Sequence, residues 1–158
     1  MAGHSDNDLA LPEFTSPPKV AIVIAPYYTA IATAQLKAVR AVLERVEAEV
    51  EVIEVPGSLE IGPAIAMADA AGAFDGFVAL GCVIRGATSH YDVVVSESAR
   101  AITYLALEGI AVGNGIITVE NIAQAEERAD GGRLNTGGGA AEAALHLIGL
   151  RQRFEDAV

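Results

Sequence analysis

The stretch VAIVIA, residues 20–25, decides the fold class of this chain. It is a short, continuous apolar run rich in β-branched residues, which is typical of a strand buried on both faces in a parallel sheet. Residues 50–55, 77–84 and 110–119 are predicted as three further strands. Strands that alternate with helices predict a parallel sheet with right-handed crossovers.

Helices are predicted in the segments that follow the strands. After the first strand, apolar residues recur at three- and four-residue spacing, as in an amphipathic helix: they are Ile31, Ala34, Ala38, Val39, Val42, Leu43 and Val46. Residues 56–58 turn the chain into a second helix that ends near Gly72. Pro63 fits that helix only if it lies in the first turn.

The second half of the chain repeats this alternation. Thr88 or Ser89 can cap a long third helix. A short helix is predicted at residues 121–128, and a glycine-rich loop at 131–139 precedes a terminal helix over 140–153. The chain is therefore predicted to form a three-layer α/β/α flavodoxin-like domain with a four-stranded parallel sheet.

Length and composition indicate one domain. The chain has 158 residues, of which 52% are apolar, and this suits one substantial core. Residues 1–18 are polar and interrupted by prolines, so we expect a flexible N-terminal arm and a single domain over 19–158. No apolar run is long enough to span a membrane, and the N-terminus lacks the apolar core of a secretion signal. We therefore expect a cytoplasmic protein.

Charge and cysteine content exclude further classes. The formal net charge of −11 argues against a nucleic-acid surface, which needs clustered Lys and Arg. One phosphorylated small molecule is still compatible, because a helix N-terminus and one or two arginines suffice for it. Cys82 is the only cysteine, so one chain can form neither a disulfide nor a cysteine-based metal cluster.

Chemically rich segments follow the predicted strands. In parallel α/β folds ligands bind beyond the carboxyl ends of the strands, where this chain places residues 26–28, 56–60, 82–90 and 118–121. The loop after the third strand leads into a helix, so its backbone amides and the helix dipole favour an anion such as phosphate. The alternative is an ordinary turn in which Gly86 only supplies an unusual backbone conformation.

Individual side chains in these segments have both functional and ordinary explanations. His90 can transfer protons near neutral pH or be a partly exposed capping-region residue, whereas His4 and His146 lie in the arm and the terminal helix. Glu60 can accept hydrogen bonds from ligand hydroxyls or serve only as favourable charge in the first turn of a helix. The remaining candidates are Tyr27 and Tyr28, which can stack on a planar ring or pack in the core, and Arg128, which can reach a phosphate or be solvated at a helix end.

Four segments together resemble the lumazine synthase family. They are VPGSLEI at 55–61, LGCVIRGATSHYD at 80–92, GIITVEN at 115–121 and QAEER at 124–128, and their order and spacing match over about residues 19–153. The resemblance implies the condensation of 5-amino-6-ribitylamino-2,4-pyrimidinedione with 3,4-dihydroxy-2-butanone 4-phosphate in riboflavin biosynthesis. It implies no metal and no organic cofactor.

The resemblance also implies roles for individual residues. Those implied to contact the pyrimidine substrate are Tyr27, Ser58, Leu59, Glu60, Cys82, Val83 and Ile84, with Asn114 supplied by an adjacent subunit. Ala87, Thr88 and Arg128 are implied to hold the phosphate, and His90 to transfer protons. Two departures stand out: Thr136 replaces the lysine that most members carry near the phosphate, and Leu59 replaces a phenylalanine of some members. Arg133, in the same loop as Thr136, is a hypothetical substitute for the missing lysine.

The implied assembly is a homopentamer or a larger particle of ten or sixty subunits, with riboflavin synthase as a further partner. Two rival functions stay open at this point. The first is a flavodoxin-like protein that binds a flavin or nucleotide without catalysing a condensation, which the fold alone permits. The second is a catalytically weak family member that acts as a flavin-binding, lumazine-binding or shell protein.

Overall fold

The computed structural model describes residues 9–157, and over them the chain forms four strands and five helices. The elements are β1 (Lys19–Ile24), α1 (Thr29–Glu44), β2 (Glu49–Glu54), α2 (Ser58–Ala70), β3 (Gly76–Ile84), α3 (His90–Leu107), β4 (Val112–Val119), α4 (Ile122–Ala129) and α5 (Thr136–Glu155). The first eight residues of the predicted arm, including His4, lie outside the described residues.

The four strands form one parallel sheet in the order β2-β1-β3-β4. The central strand β1 is fully buried from Val20 to Ile24, which explains its continuous apolar sequence. The edge strand β2 instead exposes Glu49, Glu51 and Glu54, and charged side chains on an edge disfavour pairing with another sheet. The prediction of a four-stranded parallel sheet is confirmed.

The helices cover both faces of the sheet. Alternate residues of β1 point to opposite faces: Ile22 belongs to the core shared with α1 and α5, and Val23 to the core shared with α2 and α3. The helix α4 packs against α1 and β4 on the first of these faces. The predicted three-layer α/β/α architecture is therefore confirmed.

The helix α5 begins at Thr136, so the prediction of a loop as far as residue 139 was wrong. Asn135 adopts a left-handed conformation with φ of 48° and caps the helix by accepting a hydrogen bond from the Gly138 amide at 3.0 Å. A Cβ atom at Gly137 would lie 3.1 Å from the Gln35 carbonyl oxygen of α1. A side chain at residue 137 would therefore be tightly packed against α1, and glycine lets the two helices approach closely.

Pro63 lies inside α2 beyond its first turn, so the prediction that this proline fits the helix only in the first turn was wrong. Proline has no amide hydrogen to donate to the carbonyl of Leu59, so the helix forgoes one backbone bond. Ile61 and Ile65 on the same helix are both fully buried in the core, while Pro63 is exposed. The buried apolar side chains thus hold a helix that backbone chemistry alone disfavours.

The described part of the predicted arm, residues 9–18, runs along the domain. Leu11 and Phe14 are half-buried against the core that α1 and α5 share, and the Pro18 carbonyl accepts a hydrogen bond from the Glu49 amide at 2.9 Å. The flexibility of the arm stays a prediction. Within residues 9–157, no helix combines the length and the apolar character needed to cross a membrane.

Candidate active site

A cavity of about 380 Å³ opens between the carboxyl ends of β1 and β3. The chain leaves β1 towards α1 on one face and leaves β3 towards α3 on the other, and ligands bind at such switch points of parallel sheets. The cavity is lined by Tyr27, Tyr28, Gly57, Ser58, Leu59, Glu60, Cys82, Val83, Ile84, His90 and Val94. Eight of the predicted site residues therefore meet here. A wider groove of about 600 Å³ between α1 and the α4–α5 loop contains none of them.

The end of β3 forms one wall of the cavity. Cys82 is 7% exposed and belongs to a small core with Ile31 and Ile117. Burial raises the pKa of its thiol from the ordinary 9.0 to about 11. Cys82 is therefore a neutral thiol at neutral pH, and the wall is uncharged where a planar ligand would lie against it.

The N-terminus of α2 forms a second wall. Ser58 is buried and its hydroxyl lies 2.9 Å from the point where a Cβ of Gly81 would be, so the glycine in β3 lets the helix approach the strand. Glu60 is exposed in the first turn of α2. Its carboxylate is thus both favoured by the helix dipole and available to hydroxyl groups in the cavity.

The two tyrosines after β1 have different environments. Tyr27 is 74% exposed, and its ring meets that of Tyr28 edge to face with centroids 5.1 Å apart. Tyr28 is half-buried against the core that contains Cys82. Desolvation, followed by the proximity of Cys82 and Tyr27, raises its pKa above 10.0. Core packing thus applies to Tyr28, and Tyr27 presents a free aromatic face.

His90 is the first residue of α3 and is exposed on the rim of the cavity. Its backbone amide donates to the Thr88 hydroxyl at 3.4 Å, whereas Ser89 occupies the cap position without a side-chain hydrogen bond. Ala87 and Thr88 are exposed in the loop just before this helix. His90 therefore lines the cavity, whereas Ala87 and Thr88 are not among its lining residues and lie in the loop that leads to the positive end of the α3 dipole.

Arg85, at the start of the same loop, is a residue that sequence reasoning did not single out. Its Nε donates to both carboxylate oxygens of Glu120, at 3.1 and 2.9 Å, and its Nη1 donates to Asp92 at 3.2 Å. The guanidinium also lies 4.1 Å from the centroid of the Tyr91 ring. The available signal was that Arg85 and Glu120 each follow one of two adjacent strands, so their side chains share one sheet edge.

Three other predicted cationic or polar residues lie away from the cavity. Asn114 is exposed in the middle of the edge strand β4, where its side chain accepts a hydrogen bond from the Ile116 amide at 3.0 Å. Arg128 donates to the Gln124 carbonyl at 3.2 Å in α4. Arg133 forms an exposed ion pair with Glu127 at 3.2 Å. Among the described residues, those that line the cavity include no lysine or arginine.

Comparison with known proteins gives consistent matches. The sequence model of the 6,7-dimethyl-8-ribityllumazine synthase family matches residues 17–152. A protein of that name from Jannaschia sp. (strain CCS1) is 70% identical over 98% of this chain and 86% of its own length. A second protein of the same name, from Erythrobacter litoralis, is 52% identical over 84% of this chain and 95% of its own length. A third, from Novosphingobium aromaticivorans, is 50% identical over 86% of this chain and 98% of its own length.

Proposed function

Because the chain belongs to the 6,7-dimethyl-8-ribityllumazine synthase family, we propose that it catalyses the penultimate step of riboflavin biosynthesis. The 5-amino group of 5-amino-6-ribitylamino-2,4-pyrimidinedione condenses with the ketone of 3,4-dihydroxy-2-butanone 4-phosphate to an imine with loss of water. Elimination of inorganic phosphate and ring closure with loss of a second water then complete the product. The convergence of eight predicted residues on one cavity carries this proposal.

The pyrimidine substrate occupies the inner part of the cavity in this proposal. The ring lies between the exposed face of Tyr27 and the backbone of Cys82, Val83 and Ile84, which is uncharged and supplies amide and carbonyl groups. The ribityl chain extends towards Ser58, Leu59 and Glu60. Glu60 accepts hydrogen bonds from its hydroxyl groups, for which a carboxylate is a strong acceptor.

The phosphorylated substrate occupies the outer edge. Its phosphate lies at the amides of Ala87 and Thr88, where the N-terminus of α3 favours an anion. His90 at the same edge transfers protons during imine formation and phosphate loss. Much of the rate acceleration then comes from holding two complementary reactants in one orientation.

A second copy of the chain completes the site in this proposal. The cavity contains no cationic side chain among its described lining residues, although a phosphate dianion calls for one. Arg128 and Asn114, which lie outside the cavity of their own chain, would reach the cavity of a neighbour in a homopentamer. The larger assemblies, the association with riboflavin synthase and the cytoplasmic location are wider proposals of the same kind.

A kinetic assay tests the proposed reaction. Purified protein is mixed with both substrates, and the lumazine product is followed by its absorbance against the spontaneous reaction. We expect turnover well above this background, and a loss of about a hundredfold to ten-thousandfold in His90→Ala, which is the range of general acid–base catalysis. A product rate equal to the background for the unaltered chain would refute the proposal.

The second candidate is a catalytically weak family member that binds a flavin or lumazine. Thr136 in place of a lysine favours it, as does the fact that the hypothetical substitute Arg133 is engaged with Glu127. Background turnover combined with saturable riboflavin binding would establish this alternative. Turnover that falls in Arg133→Ala would instead identify Arg133 as the compensating cation, and unchanged affinity and turnover in that variant would exclude it.

A further inference from the structure

Arg85 connects three segments beside the loop that is proposed to hold the phosphate: its own loop, the end of β4 and the first turn of α3. Its guanidinium bonds to Glu120, at the end of β4, and to Asp92, in the first turn of α3. Its backbone amide donates to the Val119 carbonyl at 2.9 Å. Tyr91 covers one face of the guanidinium. The side chain is therefore held by contacts on several sides, directly beside the loop that carries Ala87 and Thr88.

The local charges are unfavourable for a phosphate if Arg85 is removed. One guanidinium faces two carboxylates, so the group of three carries one net negative charge. Without Arg85 the same group would carry two, adjacent to a loop that has no lysine or arginine of its own beyond Arg85. Like charges repel, and because these side chains are 40–63% exposed, salt in the solvent screens that repulsion.

We propose that Arg85 is a positioning residue that offsets Glu120 and Asp92 and thereby lets the loop at 86–90 accept a phosphorylated substrate. The inference rests on the function proposed above, because it takes the phosphate to bind at this loop. Arg85 acts through the two carboxylates and does not contact the phosphate. Its Nε and Nη1 groups already donate to carboxylates, and a bifurcated bond to Glu120 fixes the plane of the guanidinium.

Charge restoration distinguishes this role from direct phosphate binding and from simple structural support. The variants are Arg85→Met, Arg85→Lys, and Arg85→Met combined with Glu120→Gln and Asp92→Asn. In Arg85→Met we expect the KM for the phosphorylated butanone to rise roughly tenfold, with little change in the KM for the pyrimidine. The increase should shrink at high ionic strength, because salt screens exposed charges.

The other variants make the comparison specific. Arg85→Lys retains the charge and should keep the KM within about threefold of the unaltered chain, and the triple variant should recover most of the lost affinity because no uncompensated carboxylate remains. Arg45→Met is the matched control. It breaks the ion pair between Arg45 and Glu142, which lies on the opposite face of the sheet and has the same 3.2 Å length as the pair between Arg85 and Asp92.

Three results would overturn the inference. Equal increases in both KM values would indicate general disruption, and a triple variant as weak as Arg85→Met would indicate direct binding. The third result comes from a titration with inorganic phosphate, which needs no turnover. Equal phosphate affinity in the unaltered chain and in Arg85→Met would refute the positioning role of Arg85 even if both proteins form product. Failure of the unaltered chain to make product would refute the proposed reaction instead, and phosphate titration would still decide the role of Arg85.

Discussion

The side-chain amide of Gln35 in α1 donates to the carbonyl oxygen of Gly81 in β3 at 3.1 Å, and the same nitrogen donates to the Gly115 carbonyl in β4 at 2.9 Å. Gln35 is 1% exposed, so these bonds replace water for a polar group deep inside the domain. They tie α1 to two strands, immediately before β3 enters the cavity at Cys82.

Replacing Gln35 by leucine should therefore lower the free energy of unfolding by about 1–3 kcal/mol. The apolar side chain fills the space but leaves two carbonyls without a side-chain donor. Urea unfolding measures the change, and Arg40→Leu, at an exposed position of the same helix, is the control. Equal stability of the two variants would show that the buried amide contributes nothing.

Tyr27 and Tyr28 should respond differently to truncation. Tyr27→Ala removes an exposed ring, so we expect the free energy of unfolding to change by no more than about 0.5 kcal/mol. The KM for the pyrimidine should rise roughly threefold to tenfold, because the stacking contact is lost. Tyr28→Ala removes a ring packed on the core and should destabilise the domain by about 2–4 kcal/mol. Thermal unfolding together with steady-state kinetics checks both. A Tyr27→Ala variant with unchanged pyrimidine KM would remove the stacking role.

Cys82 should make stability fall at alkaline pH. Burial raises the pKa of its thiol from 9.0 to about 11 in the folded chain, so above pH 9 the unfolded chain loses its proton first. The thiol's contribution is therefore complete below pH 9 and is lost as the pH rises towards 11, by about 2–3 kcal/mol in all.

The measurement is the free energy of unfolding from pH 8 to 11 in the unaltered chain and in Cys82→Ala. The decline should be shallower in the variant, and the remaining slope includes Tyr28, whose pKa is also raised. Parallel slopes for the two proteins would contradict a buried, neutral thiol.

Two glycines of the α5–β4 region should tolerate alanine very differently. A Cβ at Gly113 would collide with the backbone carbonyl of Ala140, whereas nothing lies within 4 Å of a Cβ at Gly139. We expect Gly113→Ala to cost about 3 kcal/mol, at the upper end of overpacking. Gly139→Ala should be neutral or stabilising by up to about 1 kcal/mol, because alanine favours the helix. Denaturant midpoints of the two variants give the comparison, and similar midpoints would show that α5 can move away from β4.

The sequence by itself determined the alternation of strands and helices and the segments on the ligand rim. These depend on local patterns: the apolar run of β1 has no polar residue to face water, and the amphipathic spacing of α1 requires one buried stripe. Because all parallel strands end at one edge, the segments with Tyr27, Ser58, Cys82 and His90 could be assigned to one site before any contact was known.

Only the tertiary structure decided the features that depend on partners far away in the chain. It placed Thr136 to Gly139 inside α5, where Gly137 meets the backbone of Gln35 in α1. It also turned Tyr28 inward and paired Arg85 with Glu120, 35 residues later. Local propensity contains no information about such distant partners, and packing outweighs it where the two disagree.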